Sequence, residues 1–151
     1  MKTVFYWSAA LILFLLLTAC STTLYKAAID MERWRAGVQD KSVNINGLHL
    51  AYLDGGSGEN ILMVHGFGAN KDSWNRFARH LTNKYRVIAV DLPGHGDSTA
   101  SLADTYDIKS QAQRLALFAD KLGLDKFHIF GSSMGGVIAI NYTHSNSFSH
   151  F

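Results

Sequence analysis

A strand that runs straight into a glycine-flanked serine, and from there into a helix, constrains this chain more than any other stretch. Phe127-His128-Ile129-Phe130 reads as a short, mainly apolar strand, Gly131-Ser132-Ser133-Met134-Gly135-Gly136 as a tight turn, and Val137-Ile138-Ala139-Ile140 as the start of a helix. The Gly-x-Ser-x-Gly spacing has a physical reason in that setting. A serine on a sharp, strained turn holds its hydroxyl clear of the backbone, and flanking glycines let strand and helix approach around it. Ser133 is therefore the candidate nucleophile. The residue after it, Met134, lies at a helix N-terminus, where its N–H can face a developing negative charge. Taken alone, the motif competes with a glycine-rich turn that merely contains serines.

The rest of the chain has a matching rhythm. Val43-Asn44-Ile45 and Leu48 to Tyr52 alternate as strands, and Asn46-Gly47 between them signals a two-residue hairpin. Ile61-Leu62-Met63-Val64 is a continuous apolar run, as expected of a strand buried on both faces. Asn70 is placed to cap a helix whose apolar face is Trp74, Phe77, Ala78 and Leu81. Tyr85 to Val90 is the next strand, and Ile108, Ala112, Leu115, Ala119 and Leu122 line a second helix that Gly123 stops. Strand and helix then alternate up to the Ser133 turn, which predicts an α/β fold: a mostly parallel sheet with flanking helices after an N-terminal hairpin.

Composition narrows the function. The 151 residues suit one domain, and 48% hydrophobic content is enough for a core. A formal charge of +2 without blocks of like charge argues against a nucleic-acid surface. Cys20 is the only cysteine, so the chain has no internal disulfide, and none of the seven histidines forms a His-x-x-x-His pair. No metal site is expected.

Residues 1–20 have the form of a secretory signal: Lys2, an apolar stretch from Val4 to Leu17 broken only by Ser8, then Thr18-Ala19-Cys20. The end, Leu17-Thr18-Ala19-Cys20, resembles the bacterial lipobox, in which the cysteine is lipidated. That resemblance implies a membrane-anchored lipoprotein, and Ser21 after the cysteine leans towards the outer membrane. An uncleaved signal anchor is the alternative. Residues 21–41 read as a linker helix, its helical pattern running from Leu24 to Asp40 with Leu24, Ala28, Met31 and Trp34 or Arg35 on one face. Lys26, Arg33 and Arg35 suit lipid headgroups, but Asp30 and Glu32 cancel much of their charge and favour a solvated spacer.

Three motifs stand in order at the ends of predicted strands: His65-Gly66-Phe67-Gly68, Asp91-Leu92-Pro93-Gly94-His95-Gly96-Asp97-Ser98 and Gly131 to Gly136. Together they resemble the α/β-hydrolase family, within it lipases of the monoacylglycerol and triacylglycerol type, which similarly carry Lys71-Asp72-x-Trp74. The resemblance spans about Ser42 to Thr143. It implies a serine hydrolase of the lipase or esterase type that acts on lipid or other esters through an acyl-enzyme on Ser133. It also implies that the N–H groups of Phe67 and Met134 form the oxyanion hole, and it implies no cofactor. Phe67 either lines an acyl pocket or simply packs. His65 and His95 support loops, His128 is a satisfied core histidine, and Asp91 and Asp97 hold loop N–H groups.

The family order places an acid and then a histidine after the serine. Here no Asp or Glu follows Ser133, and only His144 and His150 lie downstream. His144 falls in or just beyond the helix that leaves the serine, pointing away from it. Residues 42–151 thus read as the N-terminal half of an α/β-hydrolase domain, with the strand before Ser133 left at an edge. The alternatives are an inactive membrane-tethered fragment, or a serine acyltransferase or carbon–carbon hydrolase on the same fold. No protein partner is indicated.

Overall fold

The computed structural model describes residues 22–101 and 104–146. The signal-like segment with Cys20, and His150, lie outside them. The chain divides into two units, Met1–Glu32 and Arg33–Phe151. In the first, residues 22–32 are helical, with Leu24, Tyr25 and Met31 exposed. Among the described residues no helix is long and apolar enough to cross a membrane.

The second unit opens with the last turn of that helix (α1, residues 22–36), which is shorter than its periodicity suggested. The expected helix to Asp40 stops at Gly37, whose φ of 67° is a left-handed terminator. From Val38 the backbone is taken by β1 (Val38–Ile45), all eight residues of which pair antiparallel with β2 (Leu48–Gly55). The turn between them has φ of 52° at Asn46 and 87° at Gly47, which suits Asn-Gly and the twist of the strands.

Three further strands follow: β3 (Glu59–Val64), β4 (Tyr85–Val90) and β5 (Phe127–Gly131). The sheet order is β1-β2-β4-β3-β5, with β2 antiparallel to β4 and β3 parallel to both β4 and β5. The fold is thus α/β with a mixed five-stranded sheet, parallel across β4, β3 and β5.

The unbroken apolar runs have a direct explanation. Alternate residues of β3 and β4 serve opposite cores. Leu62, Val64, Ile88 and Val90 pack with Ala112, Leu115, Phe118 and Ala119 of α3 (Ile108–Lys121) and with Ile138 of α4 (Met134–Asn146). Ile61, Met63, Val87 and Ala89 pack on the other face with Ala36, Ala78, Trp74 and Leu81. Helix α3 is capped as the sequence allows. Asp107 accepts from the Ser110 N–H at 3.0 Å, its carboxyl held down at about 2 by the two Ser110 hydrogen bonds, and Gly123 takes φ 64° at the far end.

The segment after Asn70 corrects one expectation. It is a 3₁₀ turn (Lys71–Trp74) leading into the single turn α2 (Asn75–Ala78). Asn70 caps it, accepting from the Asp72 N–H at 3.0 Å. The tighter first turn changes the phase, so Trp74, Ala78 and Leu81 face the core while Phe77 turns outward, 44% exposed, towards the Phe130 ring. Among the described residues β5 is an edge, and Phe130, Val137 and Ile140 are exposed around it.

Candidate active site

The parallel register decides which residues meet. Val64 is paired with Val90 on one side and with Gly131 on the other. The residues that follow each of them therefore emerge side by side at the C-terminal end of the sheet. These are His65 to Gly68, Asp91 to Ser98, and Ser132 to Met134. Strand order reverses about β3, which places this cluster in the crevice where ligands bind in open α/β sheets.

Ser133 has a φ of 51°, left-handed backbone that a non-glycine residue adopts rarely. Tertiary contacts hold it there. The Ser132 N–H donates to Val64 O at 3.0 Å, extending the sheet by one bond, and the Ser132 and Ser133 carbonyls accept from the Gly135 and Gly136 N–H groups at 2.9 Å each. A Cβ on Gly131 would lie 2.3 Å from Gly135 O, and one on Gly135 would lie 2.2 Å from Val64 O. Close approach of β3, β5 and α4 thus forces the Ser133 turn. Ser133 is exposed, and Met134 is the first residue of α4, where the N–H has no intrahelical acceptor and the helix dipole is positive.

Gly66 places the neighbouring loop. A Cβ there would lie 3.3 Å from Ser133 Cβ, so the backbone leading to Phe67 runs directly beside the serine. The Phe67 side chain is 82% exposed, with its ring 6.1 Å from that of His95 in an edge-on arrangement. A cleft of about 510 Å³ opens beside it, lined by Phe67, Gly94, His95, Ala100 and Tyr106 among others. Its walls are mainly apolar, which suits an acyl or alkyl chain.

His65 and Asp91 are loop supports, as read from the sequence, whereas Asp97, expected to hold loop N–H groups, meets the Lys71 ammonium instead. His65 is fully buried, with Nδ1 2.7 Å from Gly66 O and Nε2 accepting from the Leu92 N–H at 3.1 Å. Those partners assign the proton to Nδ1, so neither ring nitrogen is left for acid–base work. Burial pushes the imidazole below the usual histidine range. The neutral ring is required by the fold, so its contribution to stability is complete above pH 6.5 and is lost as pH falls through the lower folded value. Histidine NMR is expected to find His65 still neutral and Nδ1-protonated at pH 6.5; a half-protonated ring there would contradict this.

Asp91 accepts from the Lys71 N–H at 2.6 Å and the Asp97 N–H at 2.9 Å, as its loop position suggested. Asp97 is more exposed and accepts from Lys71 Nζ. His95 lies in the loop after β4, its ring 5.1 Å from that of His65.

His128 is a correction. It is exposed, 3.3 Å from Glu59 Oε2, and not a core residue. Strand alternation turns Phe127 and Ile129 towards the core on α3 and α4, and leaves His128 on the opposite face of the edge strand. His144 lies in the last turn of α4, roughly 15 Å along the helix from its start. Among the described residues no histidine or carboxylate hydrogen-bonds Ser133, and no group of three or more His, Cys, Asp or Glu side chains is placed to hold a metal ion.

Sequence reasoning missed the burial of Lys71. It is 1% exposed, with Nζ 3.0 Å from Asp91 Oδ2 and 3.7 Å from Asp40 Oδ1. Arg33 extends this network, donating from Nε and Nη2 to Asp72 at 2.7 and 2.8 Å. The only local signal was Lys71-Asp72 itself, and such a pair ordinarily marks a solvated face.

Comparison with known proteins gives a consistent pattern. Residues 59–147 match the family described as alpha/beta hydrolase fold. The chain is 37% identical over 113 residues to the monoacylglycerol lipase abhd6-A of Xenopus laevis, covering 70% of this chain and 34% of that protein. It is 36% identical over 121 residues to the dihydrolipoyllysine-residue acetyltransferase component of the acetoin cleaving system of Cupriavidus necator, covering 76% of this chain and 32% of that one. The crystal structure of a membrane phospholipase A, a bacterial virulence factor, superposes with a TM-score of 0.81 and 43% identity, covering 95% of this chain and 47% of the other. The chain thus spans about a third of the curated relatives and just under half of that structure.

Proposed function

Because the chain belongs to the α/β-hydrolase fold family, we propose that it carries the nucleophile and oxyanion-binding half of a lipase or carboxylesterase site, with Ser133 as nucleophile. The observation that carries the reading is the left-handed Ser133 at the end of β5, with Gly66 packed against it. In this reaction Ser133 Oγ attacks the ester carbonyl carbon and the carbonyl oxygen becomes negative. The N–H groups of Phe67 and Met134 stabilise that oxygen from two sides. Collapse expels the alcohol and leaves an acyl-enzyme, which water hydrolyses. The apolar cleft beside Phe67 takes the acyl chain, and lipid esters, which the lipase relatives suggest, suit such walls.

A serine hydroxyl is a weak nucleophile without a base. Among the described residues no histidine or carboxylate hydrogen-bonds Ser133, so the reaction is proposed for a form of the protein in which a base and an acid are supplied from outside them, and the 151 residues alone are expected to be inactive. Acyl transfer is the second reading, favoured by the similarity to the acetyltransferase component: the same acyl-enzyme would pass its acyl group to an acceptor other than water. The deciding measurement is Ser133-dependent hydrolysis of short p-nitrophenyl esters, with added thiol or alcohol acceptors to separate transfer from hydrolysis.

Anchoring through a lipidated Cys20, at the outer membrane of a bacterium, is part of the same proposal. It rests on the sequence from Val4 to Cys20. Several acyl chains hold a protein to a membrane where a single one binds only marginally. Radiolabelled palmitate is expected to enter the wild-type chain in a bacterial host and not Cys20→Ala; equal labelling of both would remove the anchor.

A further inference from the structure

The loop that carries Phe67 is pinned at both ends to two consecutive residues, Asp91 and Leu92. At its start, His65 Nε2 accepts from the Leu92 N–H at 3.1 Å. At its end, Lys71 reaches Asp91 twice: its N–H donates to Oδ1 at 2.6 Å and its Nζ to Oδ2 at 3.0 Å. Between the pins, the Ala69 N–H donates at 3.2 Å to Gly66 O, which also lies 2.7 Å from His65 Nδ1, and Asn70 accepts from Asp72 and Ser73 at the start of the 3₁₀ turn. Lys71 is 1% exposed and Asp91 fully buried. Asp91 is also enclosed by its own loop. It accepts from the Asp97 N–H at 2.9 Å, its carbonyl accepts from Ser98 Oγ at 2.7 Å, and a Cβ on Gly96 would strike its carboxylate at 2.2 Å.

Stability alone does not call for an ion pair here, because apolar residues of similar volume usually serve as well in a buried position. A carboxylate differs in accepting several N–H groups in set directions, and this one joins the loops that follow β3 and β4. We propose that the buried Lys71–Asp91 pair is a positioning device that holds the Phe67 peptide in place beside Ser133. Its catalytic consequence rests on the hydrolase reading, whereas its effect on the loop does not. Asp97 and Asp40, both more exposed, complete the surroundings of the ammonium without fixing the loop backbone.

The test uses the full chain and two readouts. In Lys71→Met, amide hydrogen exchange is expected to rise at least about tenfold at the hydrogen-bonded amides of the loop, those of Ala69 and of position 71, while Leu62 and Ile88 in the central strands stay near wild type. In a preparation with Ser133-dependent turnover of p-nitrophenyl butyrate, kcat is expected to fall about 100-fold at similar KM, as when one oxyanion donor is misplaced. Lys71→Gln keeps a neutral donor, is expected to lie between the two, and serves as the variant if Lys71→Met does not fold. Unchanged exchange in the loop, or a rise shared equally by β3 and β4, would overturn the proposal. Local loosening of the loop, in a protein that shows no Ser133-dependent turnover even when joined to the C-terminal half of a family member, would support the clamp and count against the hydrolase reading instead.

Discussion

Ser133→Ala is expected to remove ester hydrolysis from any form of this protein that shows it. In serine hydrolases with a complete site, loss of the nucleophile costs on the order of 10⁶ in kcat, and what remains comes from the oxyanion hole and binding. The expected contrast has two arms. The 151 residues alone are expected to hydrolyse p-nitrophenyl butyrate no faster than their own Ser133→Ala variant. His65 has both ring nitrogens committed, and His144 is roughly 15 Å along α4 from its start. Joined to the C-terminal half of a family member, the chain is expected to gain turnover that depends on Ser133 and on a histidine of the added half. Turnover by the 151 residues alone, abolished by Ser133→Ala, would show that the base lies within them.

The largest effect on stability is expected from Gly135→Ala. The added Cβ would lie 2.2 Å from Val64 O and 2.5 Å from His65 O, both backbone atoms of the strand segment at the centre of the sheet. Relief requires α4 to move off β3, and Ile138 of α4 is fully buried in the same core. Overpacking against backbone that cannot yield costs roughly 3 kcal/mol or more, a fall in Tm on the order of 10 °C for a chain of this size. Gly131→Ala, whose Cβ would lie 2.3 Å from Gly135 O, belongs with it. Gly136→Ala is the control. Its nearest contact, Gly131 O, would be 3.4 Å away, and alanine is the better helix former by about 1 kcal/mol. Thermal unfolding followed by circular dichroism separates the cases. A Gly135→Ala variant melting with the wild type would mean that α4 is not held this closely against β3.

Much of the fold was legible because it depends on neighbours along the chain. Asn46-Gly47 suits a turn that needs left-handed residues, Gly123 ends a helix for the same reason, and Asn70 caps the turn that follows it. The apolar run from Ile61 to Val64 implied a strand covered on both faces, and the alternation of strand and helix implied which strands are parallel. The serine turn was legible in the same way, since a strained serine between close-packed elements needs glycine at Gly131 and Gly135.

The rest depended on residues far apart in sequence. The helix was read to Asp40 from its own periodicity, but from Val38 the chain pairs with a strand that lies beyond the hairpin turn. His128 sits between apolar residues, and only the place of β5 in the sheet decides that it meets Glu59 at the surface. Lys71 was the least legible residue of the candidate site. A lysine is ordinarily solvated, and what buries this one is a carboxylate 20 residues later with others at Asp40 and Asp97. The sequence by itself determined the fold class, the Ser133 turn and the glycines it needs, because backbone conformation and side-chain periodicity are local. Only the tertiary structure decided what pins the Phe67 loop and which charges are buried, because desolvation is set by all the elements that close over a group.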